Sequence, residues 1–186
     1  MKYLLGALVL TTTMLTTVQA QEYTQVHSEA SHIRFNYTQM GVTMRGGFSE
    51  FTGELRFDPS TPEQAHVMID VDLVSIDTGI READAEVTKP EWLHTAEFPT
   101  ARFESDEVMA LDEQNYEVAG RLTIKGQTRD ITVPATFSAE NGIGVFTSHF
   151  SINRSDFAIG EGAWASFDMV ANAVDIEFEL TATVDD

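Results

Sequence analysis

The chain has 186 residues, 30 of them acidic and 11 basic, and carries a net charge of −19 without a single cysteine. That acidic balance opposes nonspecific binding to nucleic acid and to anionic membrane surfaces, and the missing cysteines exclude a disulfide framework or a thiol nucleophile. Residues 1–20 read as a cleaved secretory signal peptide. Lys2 gives a positive start, residues 3–10 are an apolar run, and Val18-Gln19-Ala20 resembles a small-residue cleavage site. The run is too short and too rich in threonine to span a bilayer comfortably. Residues 21–186 then form a mature chain of 166 residues, with 10 basic against 30 acidic side chains. That length suits one domain with a real core, and an exported, periplasmic location is expected.

Residues 23–27 look like a short first strand. In residues 31–37, Ile33, Phe35 and Tyr37 alternate with His32, Arg34 and Asn36, the period of a strand with one buried face. Met40-Gly41-Val42 makes a turn. Residues 43–48 and 51–57 continue as strands, with Met44, Phe48, Phe51, Leu55 and Phe57 inward. The Asp58-Pro59-Ser60-Thr61-Pro62 stretch is a loop by composition. Residues 66–76 are the longest strand candidate, with Val67, Ile69, Val71 and Leu73 on one face.

The period then becomes helical. Across residues 77–89, Ile80, Ala83 and Val87 fall on one stripe, Asp77 or Thr78 is placed to cap the start, and Pro90 enforces the stop. The link at residues 91–99 carries Trp92, Leu93 and Phe98, and so is expected to lie across something apolar. Residues 100–105 return to strand.

Residues 116–137 are the clearest hairpin in the chain. Tyr116, Val118, Leu122 and Ile124 should face Ile131, Val133 and Phe137 across a turn at Gly126. Asn141-Gly142 is a strong turn signal. Residues 145–152 and 172–183 are the last strands, separated by a polar loop that runs from Asn153 to Trp164. About eight strands, all short and alternating, make a sandwich or a barrel. Because the last strand runs almost to the C-terminus, pairing it with an early one would remove exposed edges. The expected fold is therefore an all-β, antiparallel up-and-down barrel, with one short helix and the Trp92 link capping an end.

Chemistry is sparse. The five histidines are scattered without metal-ligand spacing, and no G-x-S-x-G elbow occurs. Asp77, Glu82, Asp84 and Glu86 cluster around the helix, where a solvated face is the simplest reading and the spacing is not that of an EF-hand. No catalytic residue and no metal ligand is assigned. Two positive features remain. Twelve phenylalanines and two tryptophans supply either a filled core or a lined cavity, and an eight-stranded barrel admits both. Residues 121–129 hold Arg121, Lys125 and Arg129 with no acid among them, suiting either an anionic contact or a solubilising sheet edge.

Six motifs, in order, resemble the YceI-like family of bacterial periplasmic proteins over residues 23–183. They are Ser31-His32-Ile33-Arg34-Phe35, Gly47-Phe48-Ser49-Glu50-Phe51-Thr52-Gly53 and Ser75-Ile76-Asp77-Thr78-Gly79, then Phe98-Pro99-Thr100-Ala101-Arg102-Phe103. The last two are Gly120-Arg121-Leu122-Thr123-Ile124-Lys125-Gly126-Gln127-Thr128 and Asn153-Arg154-Ser155-Asp156-Phe157-Ala158-Ile159-Gly160, the latter followed by Trp164. The resemblance implies a lipocalin-like barrel that binds an isoprenoid lipid, a polyprenyl phosphate or a ubiquinone-like molecule, in an elongated apolar cavity. It also implies transient membrane contact and, through relatives joined to diheme b-type cytochromes, a membrane cytochrome as partner. Many relatives carry an acid and then a histidine after the position of Arg81. Here Asp84 is followed by Ala85 and Glu86, and the segment from Glu91 to Phe103 looks more like the cytochrome-linked subgroup.

With that fold, alternation makes Phe35, Phe48, Phe103, Leu122, Phe150 and Phe178 the cavity-lining residues, and Trp92 and Trp164 the mouth. Arg154, in the loop between two strands, is the head-group contact. The leading expectation is a non-enzymatic carrier. A filled barrel that serves a membrane redox protein through the 121–129 tip is the second. An enzyme using an acid such as Asp156 or Asp77 is the third, and it lacks a recognisable acid–base pair. Monomer and dimer both stay open.

Overall fold

A computed structural model describes residues 21–184, so the signal-peptide expectation lies outside the described residues. Eleven strands form one antiparallel sheet: β1 (Tyr23–Val26), β2 (His32–Gln39), β3 (Val42–Phe48), β4 (Phe51–Arg56), β5 (His66–Asp72), β6 (Ile76–Asp77), β7 (Thr100–Ala110), β8 (Asn115–Ile124), β9 (Gln127–Glu140), β10 (Ile143–Asn153) and β11 (Val170–Val184). Their spatial order is β4-β5-β7-β8-β9-β10-β11-β2-β3-β6, with β1 added beside β11. The sheet curls until its ends meet. Tyr23 and Phe57 exchange both backbone hydrogen bonds, at 2.8 and 3.1 Å, and the chain passes from β3, next to the β6 end of the order, straight into β4 at the other end.

Three two-residue turns set the register. Met40-Gly41, Lys125-Gly126 and Asn141-Gly142 each have positive φ at both positions. This is the type I′ geometry, whose twist matches that of the flanking strands. The 116–137 hairpin pairs as expected, with Val118 opposite Val133 and Ile124 opposite Gln127. Tyr116, Val118, Ile124, Val133 and Phe137 are buried, while Leu122 and Ile131 are half-buried.

Three expectations need correction. Eleven strands replace about eight, partly because the 66–76 candidate breaks. Asp72 Oδ1 accepts from the Val74 N–H at 2.8 Å and turns residues 73–75 into a single 3₁₀ turn, leaving β6 as a two-residue fragment. The strand expected at 100–105 continues to Ala110 through a register shift between Ser105 and Glu107. The helix α1 is only Arg81–Val87, and its N-cap is Ile80 rather than Asp77 or Thr78. Those two residues instead shape the preceding turn. Asp77 Oδ1 accepts from Gly79 N–H at 2.8 Å, and the Thr78 N–H and hydroxyl both donate to Asp84 Oδ1, at 2.7 and 2.6 Å.

Five aromatic rings close one end of the barrel. Phe57, Phe137 and Phe146 have ring centres 4.7–5.0 Å apart. Tyr23 packs on Phe137 at 5.1 Å and Tyr116 on Phe57 at 5.3 Å, mostly edge-on, as ring quadrupoles prefer.

Candidate lipid cavity

The barrel interior is not filled. A wide chamber of about 540 Å³ lies towards α1, and a narrower one of about 170 Å³ lies towards the aromatic floor. They meet at a waist of Ile33, Val71, Ala101, Leu122, Phe150 and Ile176, which line both. The volume of the wide chamber alone falls within the ordinary range for ligand pockets. The reason is local. The inward positions of the strands carry mainly apolar side chains, and five aromatic rings pack together at the floor. The upper half is covered by the short helix α1, the link at residues 91–99 and the loop after β10.

The structure places the six residues expected to line the interior, and the two expected at its mouth, at the walls of the two chambers. Phe103 and Phe178 face the narrow chamber, Phe35, Phe48, Trp92 and Trp164 the wide one, and Leu122 and Phe150 the waist. Alternation equally marked Ile33 and Ile176, which flank Phe35 and Phe178 in the paired strands β2 and β11.

Three elements roof the wide chamber. The stripe of Ile80, Ala83 and Val87 on α1 faces it, as does the pair Trp92 and Leu93 in the link. Leu93 N–H bonds to Val87 O at 2.9 Å, holding the link under the helix. The third element is the loop after β10, which contributes Ile159 and Trp164, beside Val170 at the start of β11. The Glu91 carbonyl ties it to the link by accepting from Gly160 and Glu161 N–H, both at 2.8 Å. The rings of Trp92 and Trp164 meet at 5.4 Å.

Arg154 organises this roof. It is 2 % exposed and opens a 3₁₀ turn at Arg154–Phe157. Its guanidinium donates to six backbone carbonyls: Ala171 from Nε at 3.1 Å, Ile159 and Gly160 from Nη1 at 2.7 and 3.1 Å, and Trp164, Ser166 and Val170 from Nη2 at 2.9, 3.2 and 3.0 Å. All five N–H groups of a guanidinium are thereby engaged. The plane also sits over Trp92 at 5.4 Å and Phe167 at 5.1 Å. Burial pulls its pKa below the ordinary arginine value. Arg154 therefore touches the wide chamber but has no N–H left over for a head group. Gly160 makes this possible. Its φ is +79°, and a Cβ there would lie 2.0 Å from Arg154 Nη1.

The basic tip at 121–129 is largely neutralised. Arg121 pairs with Glu104 and Asp106, both at 3.2 Å. Lys125 is buried, and its Nζ donates to Glu161 at 2.8 Å and to Ala158 O at 2.7 Å. Arg121 and Lys125, which looked unpaired along the strand, meet acids from elsewhere in the chain, while Arg129 donates to the Thr128 carbonyl at 2.8 Å. Around α1, Glu86 is held below the ordinary carboxylate range, chiefly by a hydrogen bond from Lys89. Tyr37 OH donates to Thr78 O at 3.3 Å, and burial raises its pKa.

The architecture has known counterparts. The crystal structure of Burkholderia cenocepacia BcnA superposes with a TM-score of 0.83 at 31 % identity, covering 86 % of this chain and all of that one. A polyisoprenoid binding domain from Saccharophagus degradans superposes with a TM-score of 0.69 at 15 % identity, covering 90 % of this chain and all of that one. A UPF0312 protein of Pseudomonas savastanoi pv. phaseolicola is 30 % identical over 169 residues, 86 % of this chain and 88 % of its own. The sequence model of the YceI-like domain matches residues 24–182, from β1 through β11. The chain belongs to the YceI-like family.

Proposed function

We propose that this protein is a periplasmic carrier for a polyisoprenoid lipid, whose tail occupies the two-chamber cavity and whose head lies under the α1 roof. The observation that carries the reading is the elongated, almost wholly apolar interior, stopped by aromatic rings at one end and roofed by tryptophans at the other. The polyisoprenoid binding domain of S. degradans supports it by analogy of architecture, and the signal-like residues 1–20 support export.

Energetics say carrier rather than trap. Each buried methylene contributes about 0.8 kcal/mol relative to water, so a long tail would nominally exceed the ceiling of about −20 kcal/mol for non-covalent binding. The competing environment is a bilayer, which already hides the tail. Moving between two apolar sites gains little, and the lipid exchanges. Met40, Ile80, Phe167 and Met169 are exposed around the roofed end and suit transient contact with a membrane there.

Polyprenyl phosphates and long-tailed quinones both fit the tail. Native mass spectrometry on protein purified from periplasm without detergent, followed by solvent extraction, tests the reading. A discrete added mass that extracts as a prenyl lipid is expected. A bare mass that stays bare after incubation with vesicles of either lipid overturns it.

A further inference from the structure

We propose that the mouth of the wide chamber docks face-down on a zwitterionic lipid bilayer, through a ring of five exposed apolar side chains: Met40, Val42, Ile80, Phe167 and Met169. The inference rests on the carrier reading and adds to it the docked orientation, the class of membrane and the residues that enter it.

Of the described residues lining the wide chamber, only Ile80 and Glu82 are exposed, which puts its mouth beside the start of α1. The facing rim is built from β2, β3 and β11. Gln39 and Val170 line the chamber and pair with each other. Their chain neighbours Met40 and Met169 are exposed, and the Met40 N–H donates to Met169 O at 2.8 Å. Val42 pairs with Gln39 across the β2–β3 turn and so shares its face of the sheet. The Tyr37 hydroxyl, donating to Thr78 O at 3.3 Å, ties this rim to the segment that carries Ile80. Phe167 stacks on the Arg154 guanidinium at 5.1 Å, in the loop that roofs the chamber. The five side chains are 37–65 % exposed, and three separate segments bring them to one opening.

An exposed apolar cluster marks an interaction surface, and the opening within it decides the occupant. A protein seated here would stopper the chamber. A bilayer instead continues the apolar interior, so a tail crosses from one to the other without entering water. Charge decides the kind of bilayer. Residues 38–45, 78–86 and 164–170 carry Arg45 and Arg81 against Glu82, Asp84, Glu86 and Asp168, and residues 21–186 hold 30 acids against 10 cations. No basic surface meets anionic head groups here, and a leaflet rich in them repels the protein. Attachment therefore comes from apolar insertion alone, without the polybasic attraction that helps other surface-bound proteins.

The test is flotation of the mature protein with vesicles of phosphatidylethanolamine and phosphatidylcholine, with and without phosphatidylglycerol. The protein should float with the zwitterionic vesicles, float less once phosphatidylglycerol is added, and recover on the mixed vesicles as salt rises. Met40→Ser with Phe167→Ser should lower partitioning roughly ten- to a hundredfold, the worth of two half-inserted apolar side chains. Leu111→Ser with Ile143→Ser, exposed beyond the aromatic floor at the other end, should change nothing. Because the chain has no cysteine, Val42→Cys and Leu111→Cys each give one labelling site. An environment-sensitive dye should shift to the blue on vesicles at position 42 and not at position 111. A wild type that does not float, binding that requires phosphatidylglycerol, or equal loss in the two double variants overturns the proposal. So does self-association of the wild type that the Met40→Ser, Phe167→Ser variant loses while vesicle binding stays unchanged, which assigns the surface to a second copy. Delivery in detergent separates docking from carriage. A rim variant that takes up polyprenyl phosphate or long-tailed quinone from detergent as wild type does, yet not from vesicles, supports the docking; loss by both routes overturns it. A wild type that floats but takes up neither lipid by either route overturns the carrier reading alone.

Discussion

Replacing Arg154 by methionine keeps the length and apolar stem of the side chain and removes the fan of donors. Hydrogen bonds to a charged donor contribute about 1.5–3 kcal/mol each, but six of them do not simply add. The cation's own desolvation offsets several kcal/mol, and residues 161–163 and 165–169 are exposed, so water can replace part of what the carbonyls lose. The bonds to Gly160 O and Val170 O are different, because both lie in fully buried surroundings. Two such bonds set the expected loss at about 3–6 kcal/mol. For a domain of this size that lowers Tm by roughly 6–24 °C. Urea and thermal unfolding followed by tryptophan fluorescence measure it directly, since Trp92 and Trp164 both sit in the roof that Arg154 fastens. Hydrogen exchange across residues 158–171 should accelerate before the rest of the barrel. Arg154→Lys keeps the charge on a point donor that reaches only part of the fan, and it should fall between wild type and Arg154→Met. A Tm within about 2 °C of wild type, with unchanged protection in that segment, would refute the role assigned to Arg154.

Other outcomes follow from the same geometry. Gly160→Ala places a methyl against Arg154 Nη1 at a left-handed φ, and should cost about 2–4 kcal/mol, read as a lowered urea midpoint. Phe103→Asp sets a carboxylate in the apolar narrow chamber and should abolish lipid retention; a folded variant that retains as much lipid as wild type removes Phe103 from the lining. Glu86 titrates below the ordinary carboxylate range because Lys89 donates to it. Its favourable contribution is therefore complete above the unfolded glutamate pKa and disappears as pH falls through the lower folded value. Carboxyl NMR should follow that titration, and Lys89→Met should move it upward; an unmoved titration contradicts the pairing.

Much of the barrel was legible because alternation is a local property. The 116–137 hairpin could be drawn with its inward set, and Lys125-Gly126 marked its turn, since both strand period and turn chemistry are written in adjacent residues. The lining followed for the same reason: Phe35 and Phe178 point inward wherever their strands end up. What failed was non-local. Leu73 continues the pattern of β5, yet the Asp72 carboxylate folds the chain away after it. Arg121 looked unpaired because its acids, Glu104 and Asp106, come from the neighbouring strand β7. The role of Arg154 was the least accessible of all. Its partners are main-chain carbonyls of a loop with no period, and no side-chain pattern announces them. The unpartnered indole of Trp92 belongs to the same class, because only packing decides whether a donor meets water.

The five-ring floor has a consequence for the order of events. An interior stopped at one end is a scabbard: whatever slides in tail-first must come out head-first, through the same opening. On the carrier reading, the last isoprene unit to enter would be the first to leave, and the head would stay above the waist at Leu122 and Phe150. On the same reading, a receiving membrane would meet the head group while the tail is still sheathed.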